Sequence, residues 1–208
     1  MDLAKALKLY VIPDRNIGAP LSLKEQTIRS VKGGATAVQL RDKKMSGKGL
    51  YEEAVKMAEF CRGQEVLFIV NDRVDIALGS GAMGIHVGQS DIPCHAVRRL
   101  VPSDFIVGVT VRTPEQALKA QEEGADYIGA GALFPTGTKK DTELIGLNDF
   151  SRIVEAVRIP VVAIGGIEKN NVSLAFQNGA SGIAAVSSIF AENDITNAAA
   201  KMFFLCCR

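Results

Sequence analysis

Short apolar runs alternate with longer amphipathic stretches along the whole chain. The runs fall at 8–12, 37–40, 67–70, 85–87, 106–109, 127–130, 161–164 and 183–186. Most are apolar throughout rather than every second residue, which is the pattern of parallel strands covered on both faces. The stretches between them predict helices at 23–32, 48–62, 114–123, 149–157, 172–178 and 195–204, with shorter ones at 74–78 and 94–100. The 114–123 helix carries the clearest signals: Thr113 as N-cap, Pro114 at the first turn, Gln116 at capping-box spacing and Gly124 as the stop. Eight strand–helix units in 208 residues predict an α/β fold, a single-domain (β/α)8 TIM barrel spanning 1–208. A doubly wound open sheet is the rival. It would need a glycine-rich turn after an early strand, whereas Gly33-Gly34 precedes one. The longest aperiodic stretch, 131–146, follows the sixth strand and reads as a lid loop.

Composition narrows the picture by exclusion. With 24 Lys+Arg against 23 Asp+Glu, the net charge is +1. No basic block marks a nucleic-acid surface, so an anionic ligand must be held by a local site. No apolar run approaches the roughly 20 residues of a membrane span. The N-terminal residues lack a secretory pattern, so a cytoplasmic protein is expected, with no membrane partner. The four cysteines, Cys61, Cys94, Cys206 and Cys207, form no C-x-x-C pair. With only two histidines, a zinc site is not expected and free thiols are. The oligomeric state is left open, a homo-oligomer included.

The polar residues collect where the apolar runs stop. In a barrel the C-terminal ends of all strands share one face, so these residues converge although they are scattered in sequence. Gln39, Arg41 and Lys43 alternate after the second strand and can point into one mouth. Asn71 and Asp72 end the third strand and Asp91 follows the fourth. Neighbouring strands lie about 4.8 Å apart, so two carboxylates can reach one ion. Oxygen ligands without His or Cys suit Mg²⁺, although each aspartate could instead cap a helix. Thr110 ends the fifth strand, and Thr136, Thr138 and Lys139 form a hydroxyl and ammonium cluster suited to phosphate after the sixth. Gly165-Gly166 and Val186-Ser187 end the last two strands, where this fold often binds phosphate through backbone N–H groups; tight-turn chemistry is the plainer reading of the glycines. Two anionic subsites follow, a metal-assisted diphosphate site and a monophosphate site. Neither His86 nor His95 is expected to be catalytic. No Ser-His-Asp or Cys-His grouping suggests a protein nucleophile.

Seven segments in order carry a resemblance over nearly the whole chain. They are Gln39-Leu40-Arg41-x-Lys43, Asn71-Asp72-Arg73, His86-Val87-Gly88-Gln89-x-Asp91, Gly108-Val109-Thr110, Phe134-Pro135-Thr136-x-Thr138-Lys139, Ile164-Gly165-Gly166-Ile167 and Ala185-Val186-Ser187. This set resembles the thiamine phosphate synthase family. The resemblance implies a (β/α)8 transferase of thiamine biosynthesis that joins hydroxymethylpyrimidine diphosphate to thiazole phosphate, releasing pyrophosphate. It implies that Gln39, Arg41, Lys43, Asn71 and Lys139 hold the pyrimidine diphosphate. Asp72 and Asp91 would bind Mg²⁺ and Thr110 would contact pyrophosphate. Thr136, Thr138, Gly166, Val186 and Ser187 would contact the thiazole phosphate. Arg41, Lys43 and Lys139 are then the catalytic cations, because they neutralise the leaving group. The chain departs from the family at Thr110, commonly serine, at Arg112, frequently histidine, and at Ala132, usually proline. Two alternatives accompany this reading. A thiazole tautomerase of the same fold uses a histidine where this chain has Ala132. A non-catalytic phosphate-binding barrel would have no use for Arg41, Lys43, Asp72, Asp91 and Lys139 together.

Overall fold

The computed structural model describes residues 2–137 and 143–207. Eight parallel strands close into a barrel in sequence order. They are β1 (Leu9–Val11), β2 (Ala37–Leu40), β3 (Leu67–Asn71), β4 (Gly84–Val87), β5 (Ile106–Val111), β6 (Tyr127–Ala130), β7 (Val161–Ile164) and β8 (Gly182–Ala185). The helices are α1 (Leu3–Ala6), α2 (Leu23–Lys32), α3 (Gly47–Gly63), α4 (Val74–Ser80), α5 (Cys94–Leu100), α6 (Pro114–Glu122), α7 (Gly146–Ala156), α8 (Val172–Gln177), α9 (Ser187–Phe190) and α10 (Ile195–Cys206). The closed barrel excludes the open-sheet alternative, because β1 pairs with β8 as well as β2.

Alternation within each strand divides the core in two. Val38, Leu40, Phe68 and Val70 face outward into the layer between sheet and helices. Tyr10, Ala37, Ile69, Tyr127, Val162 and Ala184 face the barrel interior. Helix starts follow their caps. Ser22 accepts from Glu25 N, Ser46 from Gly49 N, and Thr113 from Gln116 N. Gly124 takes a left-handed φ of 94° after α6, as a stop residue should.

The differences from expectation have local causes. Helix α7 starts at Gly146 rather than 149, because its cap, Ile145, has helical angles and no capping side chain to announce it. Helices α1 and α9 are four residues each, too short for a periodic signal. Asp42, in the loop after β2, accepts from Lys44 N and Met45 N and pairs with Arg15 at 3.0 Å. Cys61, Cys94 and Cys206 are buried free thiols, pushed by burial up to about 12, 11 and 12. At those values the thiolate is scarce at neutral pH, which makes them inert packing groups. No helix among the described residues is long and apolar enough to cross a membrane.

Candidate active site

The C-terminal ends of the strands surround a cavity of about 390 Å³. Its lining includes Gln39 and Arg41 after β2, Asn71 of β3, Thr110 of β5, Thr136 after β6, Gly166 after β7, and Val186 and Ser187 after β8. Eight residues singled out from sequence thus share one space. Lys43, Asp72 and Asp91 stand beside that lining rather than in it. Thr138 and Lys139 lie outside the described residues.

Asp72 adopts a left-handed backbone, φ 61°, and its N–H donates to the His86 carbonyl at 2.9 Å. An L-residue accepts that conformation at a cost of about 1–2 kcal/mol. The turn is therefore held in place by its surroundings. Lys43 Nζ lies 3.3 Å from the Asp72 carboxylate. Burial pushes the Asp72 carboxyl above its ordinary range; the neighbouring Asp91 adds to the shift and Lys43 opposes it. Neither aspartate caps the following helix. Arg73 and Pro93 occupy the N-cap positions of α4 and α5, and Asp91 instead accepts from Gly88 N at 2.7 Å. Two carboxylates on adjacent strand ends, with one lysine as counterion, form a donor set that fits a hard divalent cation. Among the described residues no group of three or more His, Cys, Asp and Glu side chains could hold a metal, which leaves this pair needing ligand or water oxygens to complete a shell.

Sequence reasoning missed the floor of the cavity. Tyr10 and Tyr127 are fully enclosed, and their hydroxyls lie 3.0 Å apart. Gln39 Nε2 donates to Tyr10 Oη at 2.7 Å. His86 Nδ1 lies 2.9 Å from Tyr127 Oη, and its Nε2 lies 2.7 Å from Thr110 Oγ1. His86 is satisfied on both nitrogens, as a structural histidine should be, yet it lines the cavity. His95 stands apart, beside Glu123. The signal that could have found this floor is glycine. Gly108 is the register partner of both His86 on β4 and Tyr127 on β6. Lacking a side chain, it lets the two meet across β5. A Cβ there would clash with the Tyr127 ring edge and hydroxyl. Gly108→Ala should therefore part His86 from Tyr127 and destabilise the barrel by about 3 kcal/mol, read as a lowered denaturant midpoint with unchanged slope.

Arg112 also lines the cavity, and Asp42 is engaged by Arg15. Among the described residues no ion pair joins Arg41 or Arg112 to a carboxylate, and Asp14 lines the same cavity as both. At the β7 end, Gly165 and Gly166 take φ of 93° and 64° and pack against the segment that follows β6. Leu133 N and Phe134 N donate to the carbonyls of Ile164 and Gly165 at 2.9 and 3.0 Å. This stitching carries the root of the 131–146 loop, with Thr136, to the cavity.

Comparison with known proteins bears on the family and the fold. Residues 9–189 match the family model described as thiamine monophosphate synthase. The thiamine-phosphate synthase of Coprothermobacter proteolyticus is 45% identical over 197 residues, covering 95% of this chain and 93% of that protein. The thiamine-phosphate synthase of Pyrococcus furiosus is 41% identical over 202 residues, covering 97% and 96%. A solved structure of thiamine phosphate pyrophosphorylase from Pyrococcus furiosus superimposes with a TM-score of 0.92 at 38% identity, covering 99% of this chain and 98% of that one. A 3-hexulose-6-phosphate synthase, 16% identical with a TM-score of 0.68, shares the fold alone. With family, length and barrel in agreement from end to end, the chain belongs to the thiamine-phosphate synthase family.

Proposed function

We propose that the chain, an enzyme of the family that forms thiamine phosphate, does so by joining hydroxymethylpyrimidine diphosphate to thiazole phosphate and releasing pyrophosphate. The observation that carries this reading is the single cavity reached by two separate sets of anion-binding groups. Arg41, Asn71 and Thr110, with Lys43 at the edge, form the diphosphate side. Thr136, Gly166, Val186 and Ser187 form the monophosphate side. Lys139 and Thr138 are assigned to these two sides from sequence.

The residues do their work by placement and charge. Gln39 accepts the amine of the pyrimidine ring and fixes its position. Arg41 grips the diphosphate with a planar fork, and Lys43 and Lys139 add point charges. As the bond from the ring methylene to the diphosphate oxygen breaks, these cations and the Thr110 hydroxyl take up the charge developing on the leaving group. Asp72 and Asp91 would hold Mg²⁺, which when bound neutralises further charge on that diphosphate. The electron-rich ring stabilises the methylene cation, and the thiazole nitrogen, positioned by its phosphate, supplies the electron pair for the new C–N bond. Apolar walls such as Ile12, Val162 and Ile164 keep water from the cation. The 131–146 loop is the lid in this reading. No protein nucleophile is required.

Pyrophosphate release from the purified protein tests the proposal. Release should require both phosphorylated substrates and Mg²⁺ and should match thiamine phosphate formed one for one. Release from the pyrimidine diphosphate alone at the same rate would refute the coupling.

A further inference from the structure

We infer that Arg112 is a further binding residue for the diphosphate: a second guanidinium fork, placed at the β5 end of the diphosphate side as Arg41 is at its β2 end. The inference deepens the proposed reading and rests on it for the identity of the ligand. The placement of the two arginines stands without it.

Strand β5 ends at Val111, and its alternation continues one residue further. Thr110 and Arg112 both line the cavity, whereas Val111 between them is buried in the outer layer beside the helices. Two residues of parallel strand advance about 6.6 Å, so Arg112 stands one step nearer the mouth than Thr110. Side chains hold the main chain on both sides of that step. Gln89 Nε2 donates to the Thr110 carbonyl at 2.7 Å, and Arg112 N donates to Gln116 Oε1 at 2.8 Å. Gln116 is itself fixed at the start of α6, where its N–H donates to the Thr113 hydroxyl at 3.3 Å. The root of Arg112 is therefore anchored, while the residue is exposed and its guanidinium joins no ion pair among the described residues.

Charge supplies the reason for an anion there. Asp14 is the one carboxylate among the described lining residues. It follows β1, across the barrel from β5, and its Oδ1 accepts from Asn16 N and Ile17 N at 2.8 and 3.0 Å. Of the charged groups assigned to the diphosphate side, Arg41 and Lys43 are matched in number by Asp72 and Asp91, and Lys43 already pairs with Asp72 at 3.3 Å. Arg73, next to Asp72, is engaged by Asp75. Arg112 adds a charge that none of these offsets. A guanidinium keeps its charge at any working pH, and its planar fork of N–H donors matches phosphate oxygens. Gln39, which takes the pyrimidine ring in the proposed reading, is buried, so the phosphoryl group nearer the mouth is the terminal one. Arg112 meets that group as the substrate arrives and as pyrophosphate leaves, without touching the bond that breaks. It is a binding residue, not a catalytic one.

Titration calorimetry with inorganic pyrophosphate in Mg²⁺ buffer tests this without turnover. Arg112→Gln should bind pyrophosphate about tenfold more weakly than the unsubstituted protein, and Arg112→Glu about a hundredfold. Arg112→Lys, which keeps the charge and loses the fork, should fall between the unsubstituted protein and Arg112→Gln. A residue that only packs would not grade its effect by charge. Equal binding by the unsubstituted protein and Arg112→Gln, or an equal loss in all three variants, would overturn the inference and leave the diphosphate side standing. No pyrophosphate bound by the unsubstituted protein would overturn both. Graded binding with no thiamine phosphate formed would sink the proposed function alone. In turnover, Arg112→Gln should raise KM for the pyrimidine diphosphate about tenfold, with no like rise for the thiazole phosphate. An equal rise in both would remove Arg112 from the diphosphate side.

Discussion

Asp72→Asn should cost turnover about 10³-fold or more and yet melt at a higher temperature than the unsubstituted protein in Mg²⁺-free buffer. The loss follows from the proposed metal site. Several kcal/mol of charge stabilisation would go with the ion, and each 1.36 kcal/mol is about tenfold in rate. The gain follows from electrostatics. The Asp72 carboxyl is raised by burial and by Asp91, so in the folded state its charge is disfavoured relative to the unfolded chain. A group with a raised folded pKa costs stability above that pKa, so removing its charge at neutral pH relieves the cost. Against this stands the Lys43–Asp72 pair, but the Lys43 side chain is 61% exposed, and such a pair is worth about 0–1 kcal/mol. Burial and like charge win. Adding Mg²⁺ should then raise the melting temperature of the unsubstituted protein by mass action and leave the variant where it was. An equal Mg²⁺ shift in both proteins would remove Asp72 from the metal site.

Gly166→Ala should lower kcat/KM for the thiazole phosphate by about 10²-fold, with Mg²⁺ dependence unaltered. Gly166 has φ 64°, a backbone that L side chains rarely adopt, and a Cβ there would lie 2.6 Å from the Phe134 carbonyl oxygen. The obstruction is backbone, which cannot rotate away. The 134–136 segment must shift, and Thr136 shifts with it out of the cavity it lines. A misplacement of about 1 Å near a reacting group is enough for a loss of that size. Steady-state kinetics with each substrate varied in turn would show it. An equal rise in KM for both substrates would mean general damage rather than a displaced monophosphate side.

Much of this site was readable because strand periodicity is rigid. Gln39 and Arg41 reach one mouth because a two-residue repeat sends them the same way, and the ends of the eight strands are forced together by closure. What could not be read depended on side chains meeting through space. Tyr10 and Tyr127 look like ordinary residues of apolar strands. Their hydroxyl contact joins positions 117 apart in sequence, and neither run signals it. The role of Gly108 is likewise invisible until β4 and β6 flank it. Asp72 and Asp91, expected as metal ligands, could also be read as helix caps, because an aspartate before a helix often is one. The left-handed turn at Asp72 overrides that habit.

The barrel's seam bears on how the chain comes into being. Strand β1 hydrogen-bonds to β8, and Thr196 of α10 donates to the Arg29 carbonyl of α2, a bond spanning 167 positions. Gly33 leaves room for that docking, since a Cβ there would press on Ala199. The first strand thus finds one of its two neighbours only when nearly all the others exist. During synthesis, at about 5–20 residues per second, the first strand must wait roughly 9–34 seconds with one edge unpaired. Nascent chains halted before β8 should therefore be protease-sensitive and prone to stick to one another, whereas those released after α10 should resist cleavage throughout.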